Sequence, residues 1–239
     1  MLNTPDDVRR RESMIRLCER LELAYAIVPA VTCAPAQIGC ALSHLRLLRQ
    51  DDVELPLLVL EDDVLETADY SHRLSVPDDA DAVWLGASVF GAVGLSNYVG
   101  YEDMHLLEEA EHGLLRAYNL LCTHAILYIS APFRRAAIDA IVRCVADLGR
   151  PPDCGLAMIQ SDFRVYAVRR PFFYQAAHLQ KRERQLIDGW TRITLEPTRV
   201  GQSGMFDAPG RPRKAVAIRT AKGLAWAWAD EQGRPVDAD

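Results

Sequence analysis

Leu57-Leu58-Val59-Leu60 runs directly into Glu61-Asp62-Asp63, and Val64 turns the chain apolar again. A short continuous apolar run of this kind fits a strand buried on both faces, as in a parallel sheet. The three acids then fall at the strand's carboxyl end, where open α/β sheets place their ligands. Adjacent carboxylates repel one another and cost desolvation when partly buried, so a bound cation would explain them. Hard oxygen donors suit Mg2+ or Mn2+, with a nucleotide diphosphate completing the coordination. A solvated acidic turn is the competing reading of the same eight residues.

The elements that must position these acids are legible as periodicities. Residues 6–23 carry Val8, Met14, Ile15, Cys18 and Leu21 at helical spacing, with Thr4-Pro5-Asp6 at the start. Ala24 to Val31 reads as a strand. Ile38, Ala41, Leu42, Leu45 and Leu48 mark a second helix, with Ser43 and His44 on or beside its buried stripe. Gly39 inside that helix costs about 1 kcal/mol relative to alanine unless something approaches its backbone closely. A histidine on such a stripe is more often a hydrogen-bonded structural residue than a ligand.

Buried strands are expected at 82–86 and 122–129, and a helix from Phe133 to Leu148 with Ser130 as its cap. Residues 87–113, rich in glycine, read as a long loop, and 163–168 as a further strand. A domain edge is expected near 178, giving a catalytic-size domain over 1–178 and an extension over 179–239. In that tail Trp226 and Trp228 accompany Arg219 and Lys222, which fits a terminal helix or hairpin packed on the domain. An amphipathic element at a membrane surface fits the same residues.

With 239 residues the chain can build one substantial core. The net charge of −6 excludes a general nucleic-acid binder. No apolar run is long enough for a membrane span and Met1 to Arg11 does not resemble a signal peptide, so a cytoplasmic location is expected. The six cysteines form no C-x-x-C pair and read as small buried hydrophobes of a reducing compartment. Nothing in the sequence speaks to oligomeric state.

Four segments, in order, resemble those of glycosyltransferase family 25, the lipooligosaccharide and collagen galactosyltransferase group. Gln37-Ile38-Gly39-Cys40-Ala41-Leu42-Ser43-His44 is similar to its E-I-G-C-A-x-S-H element, and Leu58 to Val64 to its L-I-L-E-D-D-V element. Thr123 to Ser130 resembles the G-T-x-A-Y-x-I-S strand. Pro152-Asp153, with Pro171 and Gln175 farther on, resembles the P-x-D and P-x-x-x-Q ending.

The resemblance implies a GT-A type, Rossmann-like α/β fold with a mixed, mostly parallel sheet. It implies metal-dependent, inverting transfer of a hexose, expected to be galactose, from a UDP-sugar to a bacterial surface glycan or glycolipid such as lipooligosaccharide. The enzyme would work in the cytoplasm, with peripheral contact at the inner membrane as the alternative the tail allows. Asp63 would hold Mn2+ or Mg2+, with Glu61 or Asp62 assisting through the ribose or a coordinated water. Ser43 and His44 would lie beside the donor, and the acceptor's proton would go to Asp153, or failing that Asp162. The chain departs from the pattern in three places: Gln37 stands for Glu, Cys122 for the glycine before Thr123, and most of the apolar first strand ending I-N-L is missing before Asn3. A GT-A module that binds a glycan or protein partner without catalysis is the alternative, and a metal-dependent phosphohydrolase ranks below both.

Overall fold

A computed structural model describes residues 2–3, 7–88, 106–148, 151–179, 193–197, 214–220 and 223–229. The chain is mixed α/β, with four α-helices and a six-stranded sheet among the described residues. The helices are α1 (Val8–Arg20), α2 (Ala36–Leu48), α3 (Ala131–Leu148) and α4 (Pro152–Ile159). The sheet holds β3 (Leu57–Leu60), β8 (Ala125–Tyr128), β5 (Ala82–Trp84), β9 (Val165–Val168), β7 (Leu114–Asn119) and β6 (Leu106–Glu109), in that spatial order. Only β5 and β9 pair in parallel; the other four neighbours are antiparallel. This corrects the expectation of a mostly parallel sheet. β3 is an edge strand of it, antiparallel to β8.

Alternation along the strands explains the apolar runs. Val59, Ala82, Trp84, Ile126, Tyr128, Val165 and Ala167 face a core shared with Ala41 and Leu45 of α2, Phe133 and Ile141 of α3 and Leu156 of α4. Leu60, Val83, Ala125, Tyr166 and Val168 face the opposite way, onto Met14, Leu17 and Cys18 of α1 and Leu21 just past its end. With side chains standing on alternate faces and both faces covered, every strand position must be apolar whichever way its neighbour runs.

Two separate two-stranded pieces flank the acids. β1 (Leu2–Asn3) pairs in parallel with β2 (Val28–Pro29), and Leu2 bridges in parallel to Glu61. The strand expected over 24–31 is therefore two residues long. Just after the acids, β4 (Val64–Glu66) pairs antiparallel with β10 (Phe173–Gln175), which brings Gln175 opposite Val64.

The helix boundaries follow their caps. Asp7 accepts a bond from the Arg10 backbone N–H at 3.1 Å and starts α1. Ser130 accepts from the Phe133 N–H at 3.2 Å and caps α3 as expected. Pro151-Pro152, which by composition ends a helix, here precedes a further one, α4. Pro152 instead occupies the first turn, where its missing N–H costs nothing. Gly155 lets α4 lie against α3, since a Cβ there would stand 2.6 Å from the Ala140 carbonyl.

The segment expected as loop over 87–113 ends in β6 and a 3-10 turn at Glu111–Gly113, while 89–105 lies outside the described residues. Past the expected edge at 178, Leu195 is buried in the main core and its N–H donates to Arg169 O at 2.8 Å. The tail forms an antiparallel hairpin of β11 (Lys214–Thr220) and β12 (Gly223–Ala229), the hairpin alternative of the sequence reading. Among the described residues no helix is long and apolar enough to cross a membrane.

Candidate functional site

The acids open onto a cavity of about 530 Å³ at the carboxyl end of β3. Its wall draws on residues far apart in the chain: Gln37, Cys40 and Ser43 from α2, Glu61 to Asp63, Thr123 before β8, Asp153 from α4 and Gln175 from β10. Four of its described lining residues are carboxylates, and Arg10 is the single basic one.

Arg10 changes the reading of the acids. Its Nη1 lies 2.5 Å from Asp62 Oδ1 and its Nη2 3.5 Å from Asp63 Oδ2, while Nε donates to Leu179 O at 2.7 Å. All three side chains are buried, so this ion pair is shielded from solvent. The cation that the cluster demands is thus supplied, at least for Asp62, by a guanidinium of the chain itself. Arg10 sits four residues before Met14 and seven before Leu17, on the buried stripe of α1, and that spacing was the signal for it. Val8 and Leu42, read as stripe residues, are exposed instead.

Glu61 is held differently. Three donors converge on its Oε1: Thr123 Oγ1 at 2.6 Å, His44 Nε2 at 3.2 Å and Cys40 Sγ at 3.7 Å. Burial pushes its pKa up, but the bonds from His44 and Thr123 and the attraction of the His44 ring outweigh this and bring it down to about 2. The same burial, with the Glu61 and Asp153 charges, pushes the Cys40 thiol well up. Asp153 stands in the first turn of α4, where burial raises its pKa against the pull of the Cys122 and Cys154 N–H groups. Those donors lie 3.4 Å and 2.9 Å from its two oxygens.

The loop that carries Thr123 is pinned at several points. Gln160, fully buried, pairs with both backbone groups of Leu120 at 2.7 and 2.8 Å, and Trp84 Nε1 donates to Cys122 O at 2.9 Å. Cys122 has φ +85°, a conformation that favours glycine, the residue the resemblance expects there. Its Sγ lies 3.0 Å from Ser88 Oγ.

On the facing wall, a Cβ at Gly39 would stand 2.5 Å from the Val31 carbonyl, so the close approach that would justify this glycine exists. Ser43 fixes the same contact: its hydroxyl donates to Gly39 O at 2.7 Å and accepts from Val31 N at 2.8 Å.

Measured against the expected site, Glu61, Asp62, Asp63 and Asp153 do share one cavity. Ser43 lines it but its hydroxyl bonds the backbone of its own wall. His44 is wholly buried and is not among the cavity's described lining residues, but its Nε2 bonds Glu61, which is. Asp162 is exposed on a 3-10 turn and is not among the cavity's lining residues. Sequence reasoning missed Arg10, and it took Cys40 for a buried hydrophobe although it lies four residues before His44, on the same helix face.

The donor set can be tested against Mn2+ or Mg2+. Such ions take one or two carboxylates and complete their shell with water and phosphate oxygens. Asp63, which lines the cavity, supplies oxygens of the right kind and would be the residue to hold the ion. Glu61 is turned by Oε1 toward Cys40 and His44, and Asp62 toward Arg10. No protein-family model matches the chain, and a search of curated proteins found no match.

Proposed function

We propose that the protein is a glycosyltransferase that moves a hexose from a nucleotide diphosphate sugar, UDP-linked in the first instance, to a glycan hydroxyl. One observation carries the reading: all four segments that resemble family 25, spread over residues 37–175, contribute residues to a single cavity. Unrelated likenesses would have no reason to converge. The cavity has the volume of a small-molecule site and several polar groups directed into it.

Asp153 would take the proton from the acceptor hydroxyl. It is half-buried in the cavity wall with a pKa raised by desolvation, which makes its carboxylate a stronger base. Inversion follows if that hydroxyl attacks the anomeric carbon from the face opposite the diphosphate. Mn2+ or Mg2+ held by Asp63 would neutralise the diphosphate as it leaves. With four carboxylates to one guanidinium, the cavity admits an anionic donor only alongside a cation. The acceptor as a surface glycan or glycolipid, the cytoplasmic location and galactose as the sugar belong to the same proposal.

Release of UDP, GDP or CMP from a panel of nucleotide sugars tests it. The expected result is Mn2+-dependent turnover with a UDP-hexose. Asp153→Asn should lower turnover by about 10²–10⁴-fold, and Asp63→Ala should abolish the Mn2+-dependent turnover. Absence of turnover with every donor overturns the transferase reading. Arg10 on Asp62 and Gln37 in place of Glu favour a second reading, a module that binds a glycan or partner without catalysis. Calorimetry with UDP and Mn2+ separates the two, since such a module should give no heat.

A further inference from the structure

We infer that Cys40, His44 and Glu61 form a binding site for a thiophilic divalent cation of the Zn2+ class, separate from the ion assigned to Asp63. The donor atoms of the three residues all lie within 4.8 Å of one another. His44 Nε2 is 3.2 Å and Cys40 Sγ 3.7 Å from Glu61 Oε1. A tetrahedral ion with bonds of about 2.0–2.3 Å holds its ligands about 3.3–3.8 Å apart, so small movements would close the shell.

Sulfur, imidazole nitrogen and carboxylate oxygen together select Zn2+ over Mg2+ or Mn2+. Cys40 and His44 present their donors from one face of α2 at i and i+4, the spacing by which a helix offers two ligands to one metal. Glu61 completes the set from the end of β3, and Thr123 Oγ1, 2.6 Å from Glu61 Oε1, steadies that carboxylate. Cys40 and Glu61 both line the cavity, so the fourth position opens toward it. A water or a ligand oxygen would occupy that position.

Binding releases the Cys40 thiol proton to solvent and leaves the His44 proton on Nδ1. That nitrogen is buried without a hydrogen-bond partner among the described residues, so the change of tautomer breaks no other bond. Thiolate and carboxylate together then match the ion's two positive charges.

The test uses the full chain, stripped of metal with a chelator and titrated with Co2+ as a spectroscopic stand-in for Zn2+. The expected result is a thiolate-to-Co2+ charge-transfer absorption that Zn2+ abolishes by displacement, with a rise in melting temperature on adding Zn2+. Cys40→Ser should lose the absorption, and Glu61→Gln should weaken Zn2+ binding by at least about tenfold. Cys33→Ser, which alters an exposed thiol on the same wall, should leave both signals intact. Absence of the absorption in the unaltered chain, or its survival in Cys40→Ser, overturns the site. Melting curves without metal show whether each variant has folded. No readout involves a sugar nucleotide, so the outcome is independent of the transferase proposal.

Discussion

Replacing Arg10 by methionine keeps the aliphatic stem in place and deletes the charge. The guanidinium contacts Asp62 at 2.5 Å, Asp63 at 3.5 Å and the Leu179 carbonyl at 2.7 Å, with all three charged side chains at most 10% exposed. Removing one partner of a buried pair leaves an uncompensated charge and costs about 3–5 kcal/mol. The penalty belongs at the upper end, because Glu61 lies next in sequence and Asp153 lines the same cavity. A domain of this kind has about 5–15 kcal/mol in hand. With a urea slope of about 1–3 kcal/mol/M, the unfolding midpoint should fall by more than about 1 M. Urea titration followed by circular dichroism reads this directly. Asp62→Asn in the Arg10→Met background should recover part of the loss, although the same change alone destabilises, giving a coupling energy of about 1 kcal/mol or more. A loss under about 1 kcal/mol in Arg10→Met, the range of an exposed ion pair, would refute the account. So would an Asp62→Asn effect equal in the two backgrounds.

Two further outcomes follow from the cavity walls. Gly39→Ala should destabilise by about 1–2 kcal/mol: the new methyl meets the Val31 carbonyl at 2.5 Å, and overpacking outweighs the gain in helix propensity. A neutral or stabilising result in urea titration would mean that the 31–33 wall yields freely. Glu61 titrates lower in the folded chain, at about 2 against 4.5, so its contribution to stability is complete above pH 4.5 and is lost as pH falls toward 2. Glu61→Gln should therefore remove part of the slope of stability against pH in that acid window, and an unchanged slope would show that the carboxylate is not held by His44 and Thr123.

What the sequence made legible depends on how far each feature reaches along the chain. α1, α2 and α3 were readable because burial of one helix face repeats locally. The acid-bearing strand was readable because both of its faces are covered, which leaves a continuous apolar run ahead of the acids. Strand direction was not. Leu57 to Leu60 is apolar because α1 packs on one side of the sheet and α2 and α3 on the other, and that covering is the same for parallel and antiparallel neighbours. α4 was hidden by prolines that start it rather than stop it. Arg10 was hidden by residue type, since an arginine between Arg9 and Arg11 reads as solvated until a buried partner 52 residues away is known.

The carboxylates of the cavity are kept apart by their environments rather than by their spacing. Asp62 and Asp63 lean on a guanidinium, and Glu61 collects three donors on one oxygen and stays ionised. Among the described residues Asp153 has backbone N–H groups and no cationic side chain as hydrogen-bond partners, and desolvation lifts its pKa. Titratable groups pushed in opposite directions within one cavity are how a site separates a fixed anchor from a group that exchanges protons. On that division Glu61 serves as a permanent anion, suited to holding a cation or a wall in place. Asp153 is the carboxylate whose protonation can change while the cavity stays folded around it. In the proposed transfer this makes Asp153 the base by electrostatics as well as by its place in the wall. The division also predicts which substitutions separate function from fold: loss of Asp153 should leave the wall standing, and loss of Arg10 or Glu61 should not.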